Sequence, residues 1–190
     1  DAYEHERQPI TQQVSHFAMD HAAKMIRARS AVPPDIEEPT PEGAASRQRI
    51  GAEAYELNVQ QFCCAGLNFG YYYENSTLII PDSDVDGVAE TPPPFTMGSF
   101  TPSTVPGCRV PHVWLKDGCS LLDALGPGYT LIRRDRSVDV QPLLQAAQAH
   151  SVPMVLLDAE PKDGWPEAYR HALLLLRADT HVVWRGHEVG

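Results

Sequence analysis

Between residues 3 and 29 the apolar positions Ile10, Val14, Phe17, Ala18, Ala22 and Met25 recur at spacings of three and four, which predicts one amphipathic helix. Pro9 belongs to its first turns or marks a break there, and Pro33 and Pro34 end it. A loop follows through Asp35, Glu37, Glu38 and Pro39. Pro41, at a first helical position, then opens a second helix from about Glu42 to Asn58 with Ile50, Ala54 and Leu57 as its stripe. At Leu67 the period becomes β-rich. Asn68 to Tyr73 and Thr77 to Ile80, separated by Glu74-Asn75-Ser76, read as a hairpin, with the Tyr71-Tyr72-Tyr73 run packing on both faces.

Pro81, Pro92, Pro93, Pro94, Pro102 and Pro106 mark residues 81–106 as a connector. Beyond it the pattern gives a strand (His112 to Leu115) and a short helix (Ser120 to Leu125) that Ser120 caps, with Asp123 three residues on. A strand (Tyr129 to Arg133), a helix (Val140 to His150) and a strand (Met154 to Leu157) come next, and Ala172 to Arg177 with His181 to Arg185 form a closing hairpin. A helix between two short apolar strands asks for a right-handed βαβ crossover. With the hairpin added, the expected class is α/β: a thioredoxin-like C-terminal domain at 107–190, a linker at 81–106, and a helical and β-hairpin segment at 1–80.

No run approaches eighteen apolar residues, and no charged stretch precedes an apolar one, so neither a membrane span nor a signal segment is expected. The 190 residues carry 15 Lys and Arg against 25 Asp and Glu, and a net charge of -10 argues against nucleic acid as a partner. The basic knot Arg133, Arg134 and Arg136, interrupted by Asp135, reads as a solvated strand end. Cys63, Cys64, Cys108 and Cys119 lack CxxC or metal spacing and read as buried or half-buried free thiols of a reducing cytoplasm. His16 and His21 fall on different helix faces, so no metal site is expected.

The segment Pro106-Gly107-Cys108-Arg109-Val110-Pro111-His112-Val113-Trp114-Leu115, with Asp117-Gly118 and Ser120-Leu121-Leu122-Asp123, resembles the C-terminal domain of the FAD-dependent aromatic (phenol) hydroxylases, the class A flavoprotein monooxygenases. The start, Tyr3-Glu4-His5-Glu6-Arg7-Gln8-Pro9, resembles the Tyr-x-x-Glu-Arg-x-Pro stretch that follows their flavin domain. Arg177-Ala178-Asp179 leading to Trp184-Arg185 resembles their closing hairpin, with Ala178 where the family usually has proline. Pro102 to Gly107 and the Tyr-rich stretch look most like the chlorophenol hydroxylase branch. The resemblance makes Gly107, Arg109, Pro111, His112, Asp117, Gly118, Asp179, Trp184 and Arg185 a structural signature. It implies a parent that uses FAD and NAD(P)H to hydroxylate phenols.

The chemistry itself is missing from these residues. There is no G-x-G-x-x-G after a strand and no ribityl-binding segment, so no cofactor-binding residue is expected in this chain. A working thioredoxin needs a CxxC where this chain has Arg134-Asp135-Arg136-Ser137-Val138-Asp139-Val140. Of the acid-base candidates, Asp117 shapes a turn with Gly118, and His112 and Asp158 read as scaffold. No catalytic residue is therefore expected. The leading expectation is a non-catalytic C-terminal fragment that braces the parent's flavin and substrate domains or pairs with a second copy as a homo-oligomer. The alternatives are a free-standing, redox-inactive thioredoxin-like interaction module and a degenerate thiol oxidoreductase using Cys119 or Cys108. The absence of Met at position 1 leans toward the fragment.

Overall fold

The computed structural model describes residues 2–82 and 90–189. Helix α1 spans Ala2–Ser30 with Pro9 in its second turn. A 3-10 turn at Pro34–Glu37 leads to α2, Pro41–Phe62, where the Thr40 hydroxyl accepts the Gly43 N–H at 3.1 Å and Pro41 fills the first helical position. The helix runs four residues past the expected end at Asn58. Helix α3, Ala65–Phe69, follows at once.

The expected hairpin at 68–80 does not form. Asn68 and Phe69 are helical, and of the tyrosines Tyr72 alone makes a bridge, to Cys108. The backbone groups find other partners: Tyr73 N–H donates to the Gly107 carbonyl at 3.1 Å and Ile80 N–H to the Val183 carbonyl at 2.8 Å. This satisfies the donors through the C-terminal half and removes the reason for the two arms to pair with each other.

The sheet holds β1 (Tyr129–Arg133), β2 (Met154–Leu157), β3 (Leu173–Leu176) and β4 (Val182–Gly186) in the order β2-β1-β3-β4. Strands β1 and β2 are parallel, joined by α4, Gln141–Ala149; β3 is antiparallel to both β1 and β4. Alternation along the strands builds a core on each face. Ile132, Leu174, Leu176 and Val182 meet Val110, Leu115, Leu121 and Tyr169 on one side, while Leu131 and Leu173 meet Val140 and α4 on the other.

Two expected elements do not form. Val113 to Leu115 alternates buried, exposed, buried as a strand would, but makes only single bridges, Trp114 to Ser120 and Leu115 to Pro161. Residues 121–124 form turns, with the Ser120 hydroxyl accepting the Leu122 N–H at 3.1 Å. The Leu121 N–H donates back to the Val113 carbonyl at 3.0 Å, which holds the segment against Val113. At the end of the proline-rich stretch, Thr104, Val105 and Pro106 are buried.

Helix α1 departs most from its pattern. Its buried residues are Glu6 and His21, whereas Val14, Ala18 and Ala22 of the apolar stripe are exposed and Ile10, Phe17 and Met25 half-buried. Among the described residues, no helix is long and apolar enough to cross a membrane.

Candidate functional site

The first turns of α1 and the tight turn between β3 and β4 meet across almost the whole chain. Arg177 Nη1 donates to Glu6 Oε1 at 2.6 Å and Nη2 to Glu6 Oε2 at 3.0 Å, while its Nε donates to Asp179 Oδ1 at 3.1 Å. Arg7 reaches the same Asp179 at 3.5 Å, and the Ser76 hydroxyl donates to Glu6. Tyr73 supplies the wall. Its ring stacks on His181 at 4.3 Å, with the Arg177 and Arg7 guanidinium groups 5.3 and 5.5 Å from the ring centre.

Burial works to raise the Glu6 carboxyl, but the hydrogen bonds from Arg177 and Ser76 outweigh it and hold the group below its usual range. Asp179 behaves alike: burial pushes up, and His181 and Arg177 pull it far down. Arg177, desolvated yet doubly paired, is raised. With its carboxyls lowered and its guanidinium raised, the joint favours the charged, paired forms of Glu6, Asp179 and Arg177. It can hold a helix in place.

A second joint lies at the other end of β4. Arg185, its side chain 1% exposed, donates from Nε to Asp82 Oδ1 at 3.0 Å, from Nη2 to Glu90 Oε2 at 2.8 Å and from Nη1 to the Thr104 hydroxyl at 3.1 Å. One guanidinium thus fastens Asp82 and Glu90 together.

The other signature residues are placed as follows. Gly107 has φ +96°, and a Cβ there would lie 2.5 Å from the Tyr73 carbonyl oxygen. Arg109 lies over the Phe69 ring at 5.4 Å, and the buried Pro111 carbonyl accepts the Tyr169 hydroxyl. Trp184 is half-buried on the α4 face. His112 is exposed, edge-on to Trp114, and Asp117 accepts the Cys119 N–H at 2.9 Å beside Gly118 at φ +87°. Asp179 and Arg185 of the signature thus sit in the two joints, and His112, Asp117 and Gly118 lie away from both.

The basic knot is not a free solvated face. Arg133 is half-buried and pairs with Asp158 at 2.7 and 2.9 Å, Arg136 pairs with Glu160, and Arg134 donates to the His171 carbonyl over Trp165. Asp158 is thereby held low and committed. All four thiols are free, but Cys63 and Cys119 are exposed, contrary to expectation, because each lies in a loop outside both cores. Burial pushes the Cys108 thiol up to about 11. No thiol stands at the start of α4, where Asp139 accepts the Gln141 N–H at 2.9 Å. Among the described residues, no three His, Cys, Asp or Glu side chains gather as a metal would need.

Between α1 and α2 runs an open groove of about 700 Å³, lined by Phe17, His21, Met25, Phe62, Leu67 and Met97 among others. Sequence reasoning missed Glu6, Arg177, Asp82, Glu90 and the groove-lining role of His21. Glu6 and Arg177 each stand in a quoted motif, but nothing in the sequence pairs them.

Residues 103–190 match the family described as aromatic-ring hydroxylase, C-terminal. The chain is 28% identical to the FAD-dependent monooxygenase opdD of Penicillium oxalicum, over 100% of this chain and 36% of that protein. Phenol 2-monooxygenase of a Pseudomonas species is 34% identical over 43% of this chain and 12% of its own length. Among solved structures, K252c-bound RebC-10x aligns with a TM-score of 0.78 at 26% identity, covering 100% of this chain and 34% of its own. The chain thus spans about a third of the length of opdD and RebC-10x.

Proposed function

We propose, from the premise that residues 103–190 belong to the aromatic-ring hydroxylase C-terminal family, that this chain is the C-terminal part of an FAD- and NAD(P)H-dependent monooxygenase acting on phenolic compounds. In such a protein FAD activates oxygen for insertion into the ring, and the polypeptide supplies position and exclusion of water. Among the described residues, the starts of α2 and α4 do not suit a flavin. The helix α2 N-terminus is closed by Thr40 and that of α4 by Asp139, no glycine turn opens either, and the net charge of -10 opposes a pyrophosphate. The FAD site therefore belongs elsewhere in the parent.

The observation that carries the reading is the joint of Glu6 and Arg7 with Arg177 and Asp179. It ties the helix that resembles the exit from a flavin domain to the closing hairpin of a matched C-terminal domain. This chain then braces the flavin and substrate domains, and its partly uncovered α1 face packs on them or on a second copy of the parent. The strand order β2-β1-β3-β4 with β3 antiparallel supports a thioredoxin-like domain, one that lacks the dithiol. Four free thiols support a reducing, cytoplasmic setting.

The test is to express the longest reading frame that contains this chain beside the chain alone. The longer protein should be yellow and consume NAD(P)H faster when a phenol is added, while the chain alone should be colourless after desalting. Flavin retained by the chain alone would overturn the division of labour. A longer protein without flavin would leave the redox-inactive interaction module as the better reading.

A further inference from the structure

The two edges of the sheet are treated differently. Along β4 other segments take up the outer backbone groups: the Gly107 N–H donates to the Val182 carbonyl at 2.8 Å, the Val182 N–H to the Cys108 carbonyl at 2.9 Å and the Ile80 N–H to the Val183 carbonyl at 2.8 Å. Strand β2 forms the opposite edge. The Tyr129 N–H donates to the Pro153 carbonyl at 2.8 Å, which fixes the phase of the parallel ladder: Val155 and Leu157 turn their backbone groups toward β1, and Met154 and Leu156 turn theirs outward. Among the described residues, none bonds to those outward N–H and C=O groups. Edge strands are ordinarily guarded by a charge, a proline or a bulge, and Met154–Leu157 has none of these. The missing charge extends well beyond the strand. From Val140 to Leu157 no Asp, Glu, Lys or Arg occurs, in a chain of which 21% is charged. That stretch includes α4, which packs on β2 through Leu143 and Leu144 and exposes Gln145, Ala146, Gln148 and Ala149. Val155, within the strand, is 41% exposed. Depletion of charge is the compositional mark of the centre of an interface.

Charge also selects the occupant. Two copies of a chain with a net charge of -10 repel each other over most of their surfaces, and a face without charge is where they can meet. We propose that β2 pairs antiparallel with β2 of a second copy, about a two-fold axis through Val155, and so joins the two four-stranded sheets into one. In this register Met154 of each copy exchanges both backbone bonds with Leu156 of the other, which satisfies every outward group of the strand. Val155 meets its own counterpart in the close pair at the axis, and the uncharged α4 helices flank the seam on one face. The interface uses neither α1 nor the two arginine joints, and it does not depend on the monooxygenase reading.

Sedimentation equilibrium of the chain should find a monomer and a dimer in exchange. Val155→Lys sets two ammonium groups against each other at the axis and leaves the bonds to β1 in place, so it should weaken dimerisation by about a hundredfold with the circular dichroism of the fold unchanged. Val14→Asp, on the exposed part of α1, should leave the dimerisation constant within about twofold. Amide exchange reads the same seam in the wild-type chain. The Met154 and Leu156 N–H groups should exchange slowly where the dimer predominates and quickly on dilution, whereas those of Val155 and Leu157, bonded to β1, should stay slow throughout. A chain that remains monomeric at its highest soluble concentration overturns the proposal. A dimer that Val155→Lys leaves intact does the same, and one lost in Val14→Asp instead would assign the contact to α1. Should the lysine variant fail to fold, the exchange experiment decides: Met154 and Leu156 amides as fast in the dimer as in the monomer would overturn the pairing.

Discussion

Arg177→Met removes the cation at the centre of the α1 joint while keeping much of the side chain's bulk. Arg177 is 14% exposed and Glu6 5%. Glu6 loses both of its guanidinium bonds and keeps Ser76, whereas Asp179 retains Arg7 at 3.5 Å, the Tyr73 hydroxyl at 3.5 Å and the His181 N–H at 3.3 Å. Breaking one side of a buried ion pair costs about 3 to 5 kcal/mol, and the partners left to Asp179 put this case near the lower end, about 3 kcal/mol. In urea that moves the midpoint down by roughly 1 to 2 M. The pH dependence carries the sharper test. Glu6 and Asp179 sit below their ordinary 4.5 and 3.8, so their stabilisation is present above those values and lost as the pH falls through the depressed ones. In Arg177→Met burial acts on Glu6 against Ser76 alone, its pKa rises, and acid costs the variant less. The stability difference should therefore be largest near pH 7 and shrink below about pH 4. A double change, Glu6→Leu with Arg177→Met, should cost less than the sum of the two. A midpoint within a few tenths of a molar of wild type, or a difference as large at about pH 3 as at pH 7, would refute the account of the joint.

Gly107→Ala puts a Cβ 2.5 Å from the Tyr73 carbonyl at φ +96°, and calorimetry should register about 3 kcal/mol of lost stability. Arg185→Met strands Asp82 and leaves Glu90 only Arg170, and should cost about 3 kcal/mol; Arg185→Lys should recover only part of it, because an ammonium cannot bind both carboxylates and Thr104 as the fork does. In timed thiol titration Cys63 and Cys119 should react at once at pH 8 and Cys108 only on unfolding, with no disulfide-reducing activity at any stage.

Local pattern determined much of this protein. The short apolar strands Tyr129–Arg133 and Met154–Leu157, the apolar run that became Leu173–Leu176, and the helix start at Pro41 were legible because each depends on neighbours within a few residues. The 68–80 stretch misled for the same reason. Its residues favour strands, but Gly107 and Val183 take the hydrogen bonds that a hairpin would have used, and nothing nearby in sequence announces those partners. The two joints were hidden too, although Glu6, Asp179 and Arg185 stood in quoted motifs. Glu6 and Arg177 are 171 positions apart, and Arg185 and Asp82 103, so only the path of the backbone brings charge to charge. Periodicity predicts which face of α1 is apolar. Which face is covered depends on what else packs there, and in this chain the tertiary structure buries Glu6 and His21 and leaves Val14 exposed.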